Sequence, residues 1–312
     1  MNSPQQFRPE AAPAWKRHIE RSNPRTIRFM VWLTLKAGRR GSRLVIYGVA
    51  AYFFLAGGKS GQASDAYLCR VLGRRPTLAQ RFRHVLYFAT VVHDRVFFLK
   101  ARFSLFQIHM QGEDEFRRDH EQGVPLILMG GHLGSFEALR AMGQRLGFDV
   151  SMLMYQENAA MLSAALAALN PSPVPRVIPL QRVDAMLIAQ GDLNDGRVLG
   201  MLADRRLAHE PSDLHDFLGA PAAFPRNPYR LADILKCKIY FMVALYMGGN
   251  RYTIHLLPLA DFSQESARAS NRDTRIAAAQ AAYVRMLERF TRMAIFNWFN
   301  FFDFWDDAKP KP

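Results

Sequence analysis

"PLILMGGHLGSFEALRAMGQRLG", residues 125–147, reads as a strand, a turn and a helix in succession. "VPLILMG" (124–130) is short and wholly apolar, the pattern of a strand buried on both faces of a parallel sheet. Gly130 and Gly131 permit a tight turn after it. "FEALRAMGQRLG" has helical periodicity and stops at Gly147, a residue suited to the left-handed position that ends many helices. His132 therefore falls where a buried strand hands over to a helix, which is where open α/β sheets place their sites.

The same alternation continues on both sides of this stretch. "LFQIHMQG" (105–112) predicts a strand before it. After it, "DVSMLMY" (149–155), "VPRVIPL" (174–180) and "RVLGMLAD" (197–204) read as strands. Helices are expected between them at "NAAMLSAALAAL" (158–169) and "RVDAMLIAQGDLND". "KIYFMVALY" (238–246) and "RYTIHLLPL" (251–259) pair as a hairpin across "MGGN", and residues 271–293 predict the longest clear helix. The fold class is α/β: a mixed, mainly parallel sheet with helices on both faces. Residues 15–103 have helical periodicity, with breaks at "AGRRGS" (37–42) and "AGGKSGQ" (56–62). Two units are expected, a basic helical region at 1–103 and an α/β domain at 104–312.

The formal net charge is +14, and all of it lies at one end. Residues 1–110 hold 19 Lys and Arg against four acids, whereas residues 111–312 hold 22 against 23. Such asymmetry points to an anionic surface. The basic third is interleaved with "IRFMVWLTL" (27–35), "LVIYGVAAYFFLAGG" (44–58) and "HVLYFATVVHDRVFFL" (84–99), which suits anionic lipid headgroups. No nucleic-acid-binding motif accompanies it, so no nucleic-acid partner is expected. The run at 44–58 is 15 residues, short for a simple span. It is read as an interfacial helix, a partly entering one or part of a helical hairpin with its neighbours, or else as a buried core helix. No secretory signal peptide is recognised. Two cysteines, Cys69 and Cys237, supply neither a disulfide framework nor a four-thiolate zinc site. "HEPSDLHD" (209–216) carries His209, Asp213, His215 and Asp216 but lacks metal-binding helical spacing, so no metal is expected.

Two histidines have an acid five positions on: His109 with Asp114, and His132 with Glu137. Only the second pair sits at the end of a buried strand. Five residues along a helix rotate about 500°, leaving side chains about 140° apart, so the two cannot meet as helix neighbours. They can meet if His132 lies in the turn and Glu137 reaches back from the first helical turn. A carboxylate on one imidazole nitrogen would leave the other to take a proton from a hydroxyl. That is the base and orienter of a triad, with the substrate supplying the hydroxyl. A purely structural turn histidine is the alternative. Helix phase points Ser135 away from His132, which disfavours it as a nucleophile.

"GGHLGSFE" (130–137) resembles the His-x-x-x-x-Asp/Glu block of the glycerolipid acyltransferase superfamily, and more closely the bacterial lipid A late acyltransferases. Three further stretches carry the resemblance: "GMLADRRL" (200–207), "FLGAPAAFPRNPYRLADILKCKIYFM" (217–242) and "FNWFNFFDFW" (296–305). The last is similar to a C-terminal signature of relatives in aryl-polyene clusters. The resemblance implies a glycerol-3-phosphate acyltransferase-like domain after a membrane-associating helical region. It implies His132 as general base and Glu137 as orienter, with Asp204, Arg205, Arg182 and Gly131 on the substrate side. "FPRNPY" departs from the expected pattern, with Asn227 expected to take a left-handed turn where a small residue would stand.

The activity so implied is acyl transfer from an acyl carrier protein thioester to a lipid hydroxyl, at the cytoplasmic face of the inner membrane. The partners would be the acidic carrier and anionic inner-membrane lipid, and a monomer with no cofactor is expected. A non-catalytic lipid-binding or scaffold protein and an acyl hydrolase are the alternatives. The C-terminal aromatics are read either as a lipid-facing belt or as core packing.

Overall fold

The computed structural model describes residues 24–138, 143, 146–155, 176–206, 210–264 and 271–306, with side chains from residue 31 onward. The helix expected at 158–169 and half of the one at 136–147 lie outside the described residues.

Three helices come first: α1 (Pro24–Leu55), α2 (Gly58–Leu72) and α3 (Leu78–Leu99). The "AGRRGS" break is a kink rather than an end, because Gly38 takes φ 65° and ψ 174° inside α1. A residue with a Cβ rarely enters that left-handed region, so glycine lets the helix bend there and resume. Ser42 donates its hydroxyl to the Gly38 carbonyl at 2.6 Å, part-filling the broken ladder. α3 starts on a capping box, with Thr77 accepting from the Gln80 amide and the Gln80 side chain accepting from the Thr77 amide.

The α/β part follows as β1 (Gln107–Gln111), α4 (Glu113–Glu121), β2 (Leu126–Gly130), β3 (Val150–Met154), β4 (Arg176–Pro179), α5 (Ala185–Asn194) and β5 (Val198–Leu202). Next come a small hairpin of β6 (Ser212–Asp216) and β7 (Pro221–Pro225), then α6 (Asn227–Ile234), β8 (Lys238–Tyr246), β9 (Arg251–Asp261) and α7 (Arg272–Met293). Seven strands form one sheet in the order β1-β9-β8-β2-β5-β3-β4. Within this sheet only β8 and β9 pair antiparallel among the described residues. The sheet is mixed and mainly parallel, as the alternation of strands and helices predicts.

β2 lies at the centre, buried along its whole length. Its period of two divides the interior. Ile127 and Met129 join Leu199, Phe241 and Val243 in one core, with α5 and α7. Leu126 and Leu128 join Tyr240, Met242 and Tyr252 in the other, with Val91, Phe97 and Phe98 of α3. The N-terminal helices therefore share both cores, since Tyr67 and Leu68 of α2 sit in the first. A buried ion pair adds to this: Arg39 donates twice to Asp94 at 2.8 Å, and the Tyr252 hydroxyl donates to the same carboxylate at 2.9 Å.

The turn after β2 is held in place by backbone hydrogen bonds. The Gly134 amide donates to the Asn297 carbonyl at 2.8 Å and the Ser135 amide to the Ala244 carbonyl at 2.9 Å. Gly134 has φ 75°, and a Cβ on it would stand 2.0 Å from the Ala244 carbonyl oxygen. Gly130 and Gly131, read from the sequence as the turn formers, are not left-handed. Gly131 instead makes room: a Cβ there would meet Leu287 at 3.0 Å, the Tyr283 hydroxyl at 3.1 Å and the Asp204 carboxyl carbon at 3.3 Å. Asn227 is likewise helical, opening α6 with Pro228 in the first turn, and takes no left-handed conformation. Proline fits there because a first-turn residue has no intrahelical partner for an N–H.

Gly134→Ala should destabilise the fold by more than the ~1–2 kcal/mol that left-handed backbone alone costs an alanine. The backbone clash adds to that figure, and chemical unfolding of the two purified proteins measures it. An unchanged midpoint would show that the turn admits a side chain.

Candidate active site

β2 and β5 are parallel neighbours, with Gly130 opposite Leu202. Two residues beyond each of these partners stand His132 and Asp204. The pleat sends residues two apart to the same face, so this register places the two side chains together. The Ala203 amide donates to the Gly130 carbonyl at 3.0 Å and carries the pairing past the strand ends.

Asp204 grips His132 twice. Its Oδ1 lies 2.8 Å from His132 Nδ1, and its Oδ2 accepts the His132 backbone N–H at 2.9 Å. A carboxylate only accepts, so Nδ1 carries the proton and Nε2 keeps the lone pair. Asp204 is fully buried, while the His132 side chain is 26% exposed. This is a base with one nitrogen fixed and the other open to chemistry.

The electrostatics set its protonation. Burial opposes charge on Asp204, yet His132, through charge and hydrogen bonds, and the nearby Arg205 hold the carboxyl well below the ordinary carboxylate range. Burial also disfavours the imidazolium. Arg205 and Arg95 add repulsion, and together these outweigh Asp204, so the His132 pKa falls below its ordinary 6.5. His132 is thus neutral at neutral pH, the form a general base needs. Burial pulls Arg205 itself down to about 10, which leaves it charged.

The C-terminal segment completes the site. The Phe299 amide donates to the His132 carbonyl at 2.7 Å, and Leu133 bridges Trp298 as an antiparallel pair. Asn297 clamps Tyr246, accepting its amide at 2.8 Å and donating to its carbonyl at 3.1 Å. Asn300 donates to Asp204 Oδ2 at 3.3 Å and accepts from Arg205 Nε at 2.7 Å. Arg205 also donates to the Phe299 carbonyl at 3.2 Å and lies over the Phe302 ring. Trp298, Phe304 and Trp305 are buried against Tyr67, Phe217 and Phe224, so these aromatics are core packing and not a lipid-facing belt.

Glu137 is not on the imidazole. It ends the turn before Ala138, and its Oε1 lies 2.6 Å from Arg95 Nε of α3, an ion pair whose N–H is not aligned as a hydrogen bond. Among the described residues no hydrogen bond joins Glu137 to His132. The reason is topological: the neighbouring strand delivers Asp204 to Nδ1, while Glu137 lies past the Gly134 turn and faces a helix with a free-reaching cation. Arg182 forms an exposed ion pair with Asp184 at 2.6 Å. It follows β4, three strands away from β2, and among the described residues no hydrogen bond or ion pair joins it to His132, Asp204 or Arg205. Ser135 is buried, and its Oγ has no hydrogen-bond partner among the described residues, His132 included. In "HEPSDLHD", Asp213 pairs with Arg226, His215 meets Gln280 at 3.0 Å, and Asp216 accepts the Gly219 amide. His209 lies outside the described residues. Among the described residues no three His, Cys, Asp or Glu side chains group as a metal site.

Sequence reasoning missed Asn297 and Asn300 altogether. Their only signal was two amides in a run that is aromatic apart from them and Asp303, where a polar side chain must find partners once buried. No curated protein matches the chain. A family model for the bacterial lipid A biosynthesis acyltransferases matches residues 75–306, from just before α3 to the end of the C-terminal segment that closes the site, and the chain belongs to that family.

Proposed function

We propose that this acyltransferase moves a fatty or polyenoic acyl chain from an acyl carrier protein thioester to a hydroxyl of a membrane lipid, lipid A-like or aryl-polyene, with His132 as general base. The observation that carries the reading is the His132–Asp204 pair at 2.8 Å, its imidazole held neutral beside the partly buried Arg205 at the end of the central strand. His132 Nε2 takes the proton of the acceptor hydroxyl as its oxygen attacks the thioester carbonyl. The C–O bond forms and the carbonyl electrons move to oxygen. Collapse of that tetrahedral intermediate breaks the C–S bond, and the departing thiolate takes the proton back from the imidazolium. The products are a lipid ester and a free carrier thiol, and the exchange balances without an oxidant or reductant. Asp204 holds the imidazole in the productive tautomer and steadies the imidazolium. Arg205 supplies a fixed positive charge beside the developing oxyanion. Glu137 tempers Arg95, one of the two cations that keep the base neutral.

Membrane attachment at the cytoplasmic face of the inner membrane belongs to the same proposal. α1 exposes Trp32, Leu44, Tyr52, Phe53 and Leu55, and α3 exposes Phe88 and Val92. Among the described residues no single helix is long and apolar enough to cross a membrane. Val31–Leu55 and α2 pass that test only as a pair bent by 93°. A bent pair with aromatic residues outward and a strong basic excess suits a peripheral or partly entering attachment. The same positive charge is complementary to an acidic carrier protein.

His132→Ala should abolish acyl transfer in lipids from cells carrying the variant, read by mass spectrometry as loss of one acyl increment. Asp204→Asn should cost on the order of 10²–10⁴-fold. Glu137→Gln should cost less, and the reverse order would return the orienting role to Glu137. Release of free fatty acid in place of the lipid increment would favour hydrolysis.

The pH profile follows from the same charges. Activity needs neutral His132, so it should fall as pH drops through the lowered His132 pKa, below 6.5. Arg205→Gln removes a charge that lowers that pKa. The acid limb should therefore move to higher pH, and an unmoved limb would detach Arg205 from the base.

The protein should bind vesicles containing anionic lipid, and binding should weaken as salt rises and screens the basic helices. Salt-insensitive binding would point to apolar insertion alone.

A further inference from the structure

Asn300 sits between the two groups that define the base. Its side chain spans from Asp204 Oδ2, 3.3 Å from Nδ2, to Arg205 Nε, 2.7 Å from Oδ1. The amide orientation is fixed by chemistry: an ionised carboxylate can only accept and a guanidinium can only donate. Asn and Gln carry an acceptor and a donor on one planar amide head, and Asn has the shorter reach. Asn300 is 1% exposed, so water does not substitute for either bond without a structural change. Its place along the chain is fixed independently. The Phe299 amide is tied to the His132 carbonyl at 2.7 Å, and the Trp298 carbonyl accepts from His84 Nε2 at 2.9 Å. Ser64 caps the other nitrogen of that histidine at 2.7 Å, and burial pushes the His84 pKa down to about 4, so the link is a neutral one.

We propose that Asn300 is a positioning residue for acyl transfer: it holds the Asp204 carboxylate in the orientation that fixes His132 and holds the Arg205 guanidinium at the distance that keeps His132 unprotonated. This rests on His132 being the base with Asp204 as its orienter. Asn300 touches neither substrate nor reacting atoms and acts through two partners at once. One consequence is specific to this arrangement. Loss of the donor leaves Asp204 more basic, and loss of the acceptor lets Arg205 drift. Both changes favour the imidazolium, so they add rather than cancel.

The test is 15N-histidine NMR of the full-length protein, with the His132 resonances assigned by their loss in His132→Gln. In the wild type His132 should show the Nδ1–H tautomer. Asn300→Asp replaces the donor with a second carboxylate beside Asp204, and should raise the His132 pKa by about one unit or more. Asn300→Ser keeps a donor and an acceptor on a shorter side chain, and should raise it less. Arg205→Lys keeps the charge but loses the Nε–H that meets Asn300, and should shift the His132 titration in the same direction as Asn300→Ser. Chemical unfolding is followed in parallel. A merely structural role would lower the unfolding midpoint and leave tautomer and titration as in the wild type, and that result would overturn the proposal. Transfer activity of His132→Gln separates the two claims. Should that variant keep wild-type turnover while the Asn300 variants still move the titration, the catalytic reading fails and the positioning role stands.

Discussion

A carboxylate with no exposed surface is costly unless every lone pair finds a partner. Asp204 is such a group, and the architecture around it is what lets it stay ionised. It takes the imidazole Nδ1–H and the backbone N–H of His132, and the side-chain amide of Asn300. Arg205 lies next in sequence and adds positive charge. The four contributions come from β2, β5 and the C-terminal segment, which are remote in sequence. None of them could hold the charge alone. Removing one partner of such a cluster leaves a buried ion uncompensated, which costs more than the bond itself is worth.

That requirement explains why the C-terminal segment runs where it does. Asn297, Phe299 and Asn300 reach Tyr246, His132 and Asp204 in turn, so three residues stitch β8, the β2 turn and the end of β5. Tyr283 of α7 adds a hydroxyl to the Gly130 carbonyl at 2.8 Å from the face below. Gly131 then has to be glycine-sized, because the Tyr283 hydroxyl, Leu287 and the Asp204 carboxyl all crowd the space a Cβ would need. The aromatic density of "FNWFNFFDFW" serves this packing. Trp298 is fully buried among Tyr67, Phe217, Phe304 and Trp305, which anchors the asparagines on either side of it.

The elements were legible because they are periodic. An unbroken apolar run at 124–130 can only be a strand with cores on both faces, and both cores are present. The mixed sheet followed from the same patterns, as did the antiparallel hairpin across Gly248 and Gly249. The β6–β7 hairpin was harder, since "SDLHD" and "PAAFP" carry no clean alternation. The histidine was legible too, from its place at a strand end. Its partner was not. Local spacing offered Glu137, five residues on, whereas the partner came from 72 residues away through strand order. "LMGGH" and "GMLAD" both end a buried strand with a polar residue. Only the knowledge that β2 lies beside β5, with Gly130 opposite Leu202, turns those two endings into a pair. Parallel neighbours are set by crossover connections, which leave no mark on the residues of either strand.

The first third of the chain shows two opposite demands met by one set of residues. Its apolar runs are too short for simple spans but read as membrane-associating segments, yet Val91, Phe97 and Phe98 go into the sheet core. What remains exposed is the outward side of the helices, the face proposed above to meet lipid: Trp32, Leu44, Tyr52, Phe53 and Leu55 on α1, with Phe88 and Val92 on α3. Division of labour within a helix needs a fixed rotation about its axis. The Arg39–Asp94 pair supplies one, because a bidentate guanidinium–carboxylate contact tolerates little twist. Tyr252 and Gly249 of the β8–β9 hairpin region hold the same two side chains. The rotation of α1 is thereby referenced to the sheet, and α3 carries both Asp94 of this pair and Arg95, the partner of Glu137. The helices that present the exposed apolar side are thus keyed, through adjacent residues of α3, to the turn that carries His132. The proposed lipid-facing surface and the proposed base then share one frame of reference, with no direct bond between them among the described residues.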